Sequence, residues 1–188
     1  MITLIRPDVR LHRSYLRASD EFGDAHRDGD GEWAEPPDDG GYPGRAFTRE
    51  EMGAEEGFAA FVRWRLDRAL PDSARPTGHV PCSYFWIVDD ADPMTYLGSL
   101  SLRHELTPSL LDDGGHIGYS VRPGARQRGV ASAALRLGLV EAGRLGIDPA
   151  LLTCHVANGV SRRVIEGCGG VAEDVRGDQR RYWVPTGA

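Results

Sequence analysis

Lysine is missing from this chain: all 22 basic side chains among its 188 residues are arginines. The absence removes lysine chemistry, including Schiff-base formation with carbonyl substrates. The arginine excess itself reads as a coding bias toward GC-rich codons, not as a site. Cysteine is scarce. Cys82, Cys154 and Cys168 are odd in number and form no C-x-x-C pair, which points to reduced, buried thiols and to the cytoplasm. Long apolar runs are absent too: the opening one is cut short by Arg6, Asp8 and Arg10, so a soluble protein with no membrane partner is expected. A positive excess is also lacking. The net charge of −6 disfavours a nucleic-acid partner, which would require a clustered basic face. The length suits one domain with its own core.

The negative charge is concentrated. Between residues 19 and 46 nine acids face only Arg27 and Arg45, which makes −7 and leaves the remainder of the chain about +1. The same stretch contains Gly29, Gly31, Pro36-Pro37, Gly40-Gly41 and Pro43-Gly44 and is expected to be a long loop, over residues 23–46, without a regular element. Trp33, Tyr42 and Phe47 favour a loop that folds over a substrate above a purely solvated insert. A lid of this charge would raise the local concentration of cationic amines.

Around this loop the pattern predicts a strand at 2–5 and a helix over 8–22. A second helix follows over 48–70, opened by a Thr48/Glu51 capping box. Residues 83–88 and 96–102 read as a β-hairpin and 116–121 as a further strand. Residues 130–145 are nearly all apolar and predict a buried helix. A strand at 151–157, a short helix from Asn158 to Cys168, and two strands at 169–175 and 180–184 complete an α/β (α+β) order of about six to seven strands and four helices.

The chemistry is concentrated at Arg126-Gln-Arg-Gly129-Val-Ala131, between a strand and an apolar helix. The first N–H groups of a helix have no intrahelical partner and its dipole adds positive potential, so an anion fits there. Gly129 permits close backbone approach, and Arg126 and Arg128 can add charge-assisted contacts to phosphate. A nucleoside-triphosphate loop is disfavoured because no Gly-Lys-Ser/Thr ending is present, and there is no Rossmann G-x-G-x-x-G.

The stretch Ile117-Gly-Tyr-Ser-Val121-Arg-Pro-Gly-Ala-Arg126-Gln-Arg-Gly129-Val-Ala131 resembles the phosphate-binding motif of the GNAT superfamily of acetyl-CoA-dependent N-acyltransferases. Asn158, Ser161, Arg163, Val164, Glu166 and Gly169 are similar to that family's N-x-x-S-x-R-V-x-E-x-x-G helix. A narrower likeness is to a bacterial branch with a Gly-Gly-His-Ile-Gly-Tyr strand. The resemblance implies a single GNAT-like domain over residues 1–188, with a mostly antiparallel sheet splayed between its fourth and fifth strands. It further implies that pantetheine bonds the backbone of Val121, and that Arg126, Gln127, Arg128, Gly129, Val130, Ala131 and Ser132 cradle the pyrophosphate of acetyl-CoA. Asn158, with Ser161, would face the cofactor arm, although Asn at a strand-to-helix junction also serves as a helix cap.

Amine acylation requires a neutral amine, a polarised thioester and a departing thiolate. His116, at the position where many relatives place a glutamate, is the leading candidate base, since an imidazole with a pKa of roughly 6.5 is mostly neutral at pH 7. Glu105 is the reserve, and half-buried or solvated structural roles are the alternatives for both. The resemblance would put the family's acid, a tyrosine, at Ile165, which cannot donate a proton; Tyr182 or Cys168 are possible substitutes. No metal is expected, because His104, His116 and His155 show no ligand spacing. The acceptor is expected to be an amine of a small molecule or peptide, cationic if the acidic loop selects it, and the protein a monomer or homodimer. A catalytically weak acyl-CoA-binding or sensing module is the alternative.

Overall fold

Capping and punctuation residues set the boundaries of most elements. In this computed structural model, which describes residues 1–23, 25–29 and 32–187, strand β1 (Ile2–Ile5) stops before Pro7. Asp8 then caps a single 3-10 turn through its bond from the Arg10 N–H, 2.9 Å, and the chain enters helix α1 (His12–Phe22). The loop expected to lack regular structure contains a two-stranded pair, β2 (Ala34–Glu35) and β3 (Arg45–Ala46). The expected single helix after it is two: α2 (Arg49–Gly53), opened by the anticipated Thr48/Glu51 capping box, and α3 (Glu55–Asp67), with extended backbone at Ala54 between them.

Strands β4 (Cys82–Asp89) and β5 (Gly98–Arg103) form the expected hairpin. Helix α4 (Pro108–Asp112) was not anticipated; the Thr107 side chain caps it and Pro108 occupies its first turn, where a missing N–H costs nothing. Then follow β6 (Ile117–Val121), α5 (Val130–Arg144), β7 (Ala150–His155), α6 (Gly159–Gly167), β8 (Val171–Arg176) and β9 (Gln179–Val184). The described residues thus hold two more strands and two more helices than the sequence pattern indicates, all of them five residues or shorter.

The strands lie in the order β1-β4-β5-β6 and β7-β9-β8, antiparallel within each sheet. Alternating side chains divide the core between the faces. Trp86 and Val88 of β4 pack with Tyr15 of α1 and Phe58, Phe61 and Val62 of α3, whereas Phe85, Leu100 and Ile117 pack with Leu135 and Leu139 of α5. Burying roughly 1.5–3 kcal/mol of apolar side chain at each such position holds the layers together. Between β6 and β7 the ladder is interrupted. This is the expected splay, at the expected pair of strands. No helix of the described residues is long and apolar enough to cross a membrane.

Candidate active site

The two sheets touch at one end of the gap. The His116 N–H donates to the Leu151 carbonyl at 2.7 Å, the Leu151 N–H donates to Nδ1 of the His116 ring at 2.9 Å, and the Gly114 N–H donates to Oγ1 of Thr153 at 2.9 Å. Gly115 has a φ of +57° and lies so close to β7 that a Cβ there would fall 2.5 Å from the Leu151 oxygen. Beyond this vertex β6 and β7 diverge around a cleft of about 260 Å³. Gly118 and Tyr119 line it from β6, Thr153 and Cys154 from β7, and Asn158 and Ser161 from α6.

At the far end of β6 the chain turns into α5 through residues with left-handed backbone, Gln127 at φ +61° and Gly129 at φ +75°. Such alternation aims successive N–H groups to one side and forms an anion-binding concavity. No side chain caps α5, and its first bond runs from the Ala133 N–H to the Gly129 carbonyl, 3.0 Å, so Val130, Ala131 and Ser132 present N–H groups without an intrahelical partner. Arg126, Gln127, Arg128 and Gly129 are exposed, and a Cβ at Gly129 would meet nothing within 4 Å. Arg126 is tied back by its Nε, which donates to the Val121 carbonyl at 3.1 Å. Glu21 of α1 braces the turn from outside, accepting from the Arg122 guanidinium and from the Gly124 N–H, the latter at 3.2 Å. The residues expected to hold a pyrophosphate therefore form one open, cationic helix entrance beside the cleft.

A profile of the acetyltransferase (GNAT) domain family matches residues 26–171. The chain belongs to the GNAT acetyltransferase family. Its fold is similar to that of solved acetyltransferases across nearly its whole length. The microcin C7 self-immunity acetyltransferase MccE, solved with acetyl-CoA and AMP, has a TM-score of 0.62 at 15% identity, covering 98% of this chain and 92% of that one. RimJ of Mycobacterium smegmatis, in complex with a CoA disulfide, has a TM-score of 0.60 at 19% identity, covering 97% and 79%. The spermidine/spermine N-acetyltransferase SpeG of Vibrio cholerae, in mutant forms, has 0.57 at 13%, covering 99% and 95%. No curated protein sequence matches the chain.

In this GNAT enzyme the two candidate bases lie in different surroundings. His116 is buried, and its Nδ1 is already an acceptor for the Leu151 N–H, which leaves the neutral ring with its proton on Nε2. Burial, and secondarily the Arg103 guanidinium, lower its pKa from 6.5 to about 4. To take a proton at Nδ1 it would have to break one of the bonds that join the sheets, a geometry that suits a seam residue better than a base. Glu105 is exposed, just past the end of β5, and does not line the cleft.

Asn158 does cap its helix, accepting from the Ser161 N–H at 3.0 Å, while still lining the cleft. Ile165, where the resemblance would put the family's acid, is fully buried in the core and does not line the cleft. What sequence spacing did not single out is Tyr119. Its hydroxyl lies 2.9 Å from Oγ of Ser161, across from β6 to α6, and burial raises its pKa, so it stays a protonated phenol. The signal was present in the strand motif, but alternation alone cannot show that this ring crosses the gap.

The aromatics of the acidic loop face the body of the domain. Trp33 donates its indole N–H to the Tyr15 hydroxyl at 3.0 Å, and Phe47 packs into the α1/α3 core. Asp28 and His26 of the loop border the cleft, and Gly29 lies on β6, where a Cβ would fall 2.5 Å from the Gly118 oxygen. The aromatics thus anchor a covering segment to the body of the domain.

Proposed function

We propose that this GNAT enzyme transfers an acetyl group from acetyl-CoA to a primary amine of a small molecule or peptide, by direct attack on the bound thioester. The observation that carries the reading is the gap between β6 and β7, open beside an uncapped helix N-terminus with two exposed arginines. Main-chain N–H groups of residues 129–132 with Arg126 and Arg128 would hold the pyrophosphate. The facing edges of β6 and β7, which share no ladder, would accept the pantetheine arm as an inserted strand, with Val121, Asn158 and Ser161 along it.

Acetyl-CoA supplies the activated carbonyl. Tyr119, a protonated phenol lining the cleft, would hydrogen-bond the departing sulfur, and a thiolate with a pKa near 8.5 costs only about 2 kcal/mol to release at pH 7, so one donor would suffice. His116 sets the width of the cleft's vertex.

The acceptor in this reading is an amine, as for SpeG, a spermidine/spermine N-acetyltransferase by name. The charge argument for a cationic acceptor is weak in this fold, because much of the acidic loop is internally engaged. Glu35 pairs with Arg68 at 3.1 Å, and the Asp38 oxygens accept from the Tyr42 and Thr77 N–H groups. The Gly-Gly-His-Ile-Gly-Tyr stretch supports placement in the bacterial branch that shares it, and a cytoplasmic location follows from the reduced thiols of this reading. Release of free thiol from acetyl-CoA on addition of amines from a panel tests the proposal. Stabilisation by coenzyme A without turnover would instead favour an acyl-CoA sensor, a reading that draws on the missing tyrosine at Ile165.

A further inference from the structure

A second cavity, of about 460 Å³, lies between α3, the start of β4 and the acidic loop, and shares Arg103 with the acetyl-transfer cleft. Its lining is cationic where it is most buried. Arg65, 1% exposed, stacks on the rings of Trp64, Tyr84 and Phe61 at 4.4, 4.6 and 5.0 Å, and one of its N–H groups donates to the Glu32 carbonyl. No carboxylate pairs with it among the described residues, and its Nε is buried without a hydrogen-bond partner. Arg68, 2% exposed, also has an unpartnered buried Nε, but its charge is met by Glu35. Arg103 donates to the Gly114 and Gly115 carbonyls and has no ion pair among the described residues.

The acids that border the cavity do not answer these charges. Glu35 is committed to Arg68 and to the Tyr42 hydroxyl, Asp38 to two N–H groups, and Glu32 is exposed at the rim. A buried guanidinium has five N–H donors and a charge that aromatic faces stabilise only in part. Left without an anion it is costly, and a bidentate carboxylate or phosphate is the partner that its geometry fits.

We propose that this cavity is the acceptor subsite and that it binds an anionic oxygen group, a carboxylate or a phosphate, carried by the acceptor amine, through Arg65 and Arg103. This rests on the acetyltransferase reading above and narrows it: the substrate class is amines bearing an acid group, and not polyamines. Because Arg103 borders both cavities, an acceptor held by it lies next to the cleft.

The test has two arms. In the full chain carrying Gly129→Glu, which closes the other anion site, thermal unfolding is followed with inorganic phosphate and with malonate against chloride at matched ionic strength. A concentration-dependent rise in Tm with either anion, lost with Arg65→Met or with the less buried Arg103→Gln, is expected, and whichever anion acts identifies the group. No rise with either, or the same rise in all variants, would overturn the proposal.

In the unaltered chain, matched amines with and without the acid group should differ by about tenfold or more in kcat/KM, in favour of the acid. Equal rates, or preference for the neutral or polycationic amine, would overturn it as well. Failure of the unaltered chain to bind coenzyme A would sink the acetyltransferase reading by itself, while the anion titration still decides what this cavity holds.

Discussion

Nδ1 of His116 accepts a hydrogen bond from the Leu151 N–H, 2.9 Å away, so one imidazole closes the seam between the two sheets at the point where the cleft begins. The ring must be neutral to accept that bond. Its pKa falls from 6.5 to about 4 on folding, so between those values the unfolded chain binds the proton and the folded chain does not. The stability contributed is complete above about pH 6.5 and is lost as the pH falls toward 4. The shift corresponds to at most about 3 kcal/mol, of which about 1–2 kcal/mol is expected after screening. Chemical denaturation across this range should show the slope, and His116→Gln should flatten it. In kinetics, an enzyme whose base was His116 would lose activity as the pH falls through that ring's own lowered value of about 4; we expect no such limb from this residue.

Glu21 braces the phosphate loop from α1, through Arg122 and the Gly124 N–H. Arg122 holds its carboxyl below the usual 4.5, so this support is present above that value and fades as the pH drops through the lowered one. Because the pair is partly exposed, Glu21→Ala should cost only about 0.5–1 kcal/mol of stability. It should weaken coenzyme A binding by a few-fold, measured by titration, because the loop it steadies is the one that grips the ligand.

Gly29 tests whether the acidic loop covers the acceptor side. Its φ is +83° and a Cβ would meet the Gly118 oxygen at 2.5 Å, so Gly29→Val must lift the segment from β6 at a cost of about 1–3 kcal/mol. KM for the amine should rise about tenfold or more while affinity for coenzyme A stays within about threefold. An equal loss for both ligands would show that the loop does not act on the acceptor alone.

Tyr119→Phe removes the hydroxyl that faces Ser161. If the phenol assists departure of the sulfur, kcat should fall by about 10²-fold with little change in coenzyme A affinity. Poor thiol leaving groups should suffer more than good ones.

Much of this architecture was legible in the sequence, and its failures have identifiable causes. Strands β4, β5 and β6 and helix α5 announce themselves through alternation and an apolar run, and Gly129 through its place between a strand and a helix. The β2/β3 pair escaped notice because its strands are two residues long and flanked by proline and glycine, with order supplied from outside by Tyr15 and the α1/α3 core. The break at Ala54 escaped because the capping box and the apolar stripe lie on different helices. His116 is the base that the sequence resemblance suggests, and only the approach of Leu151, 35 residues away, shows that its ring is already engaged. Arg65 likewise lies in an ordinary amphipathic helix, and its burial depends on aromatics from β4 and from its own turn.

The proposed activity requires the uncapped entrance to α5 to hold a diphosphate. Calorimetric titration of coenzyme A into the unaltered chain, Gly129→Ala and Gly129→Glu measures this most directly. The alanine meets open space and bears only the left-handed strain, about 1 kcal/mol, so binding should survive with modest loss. The glutamate sets a negative charge among the N–H groups and should weaken binding by about 10²-fold or more. Equal affinity in all three proteins, or no heat of binding in any, would contradict it.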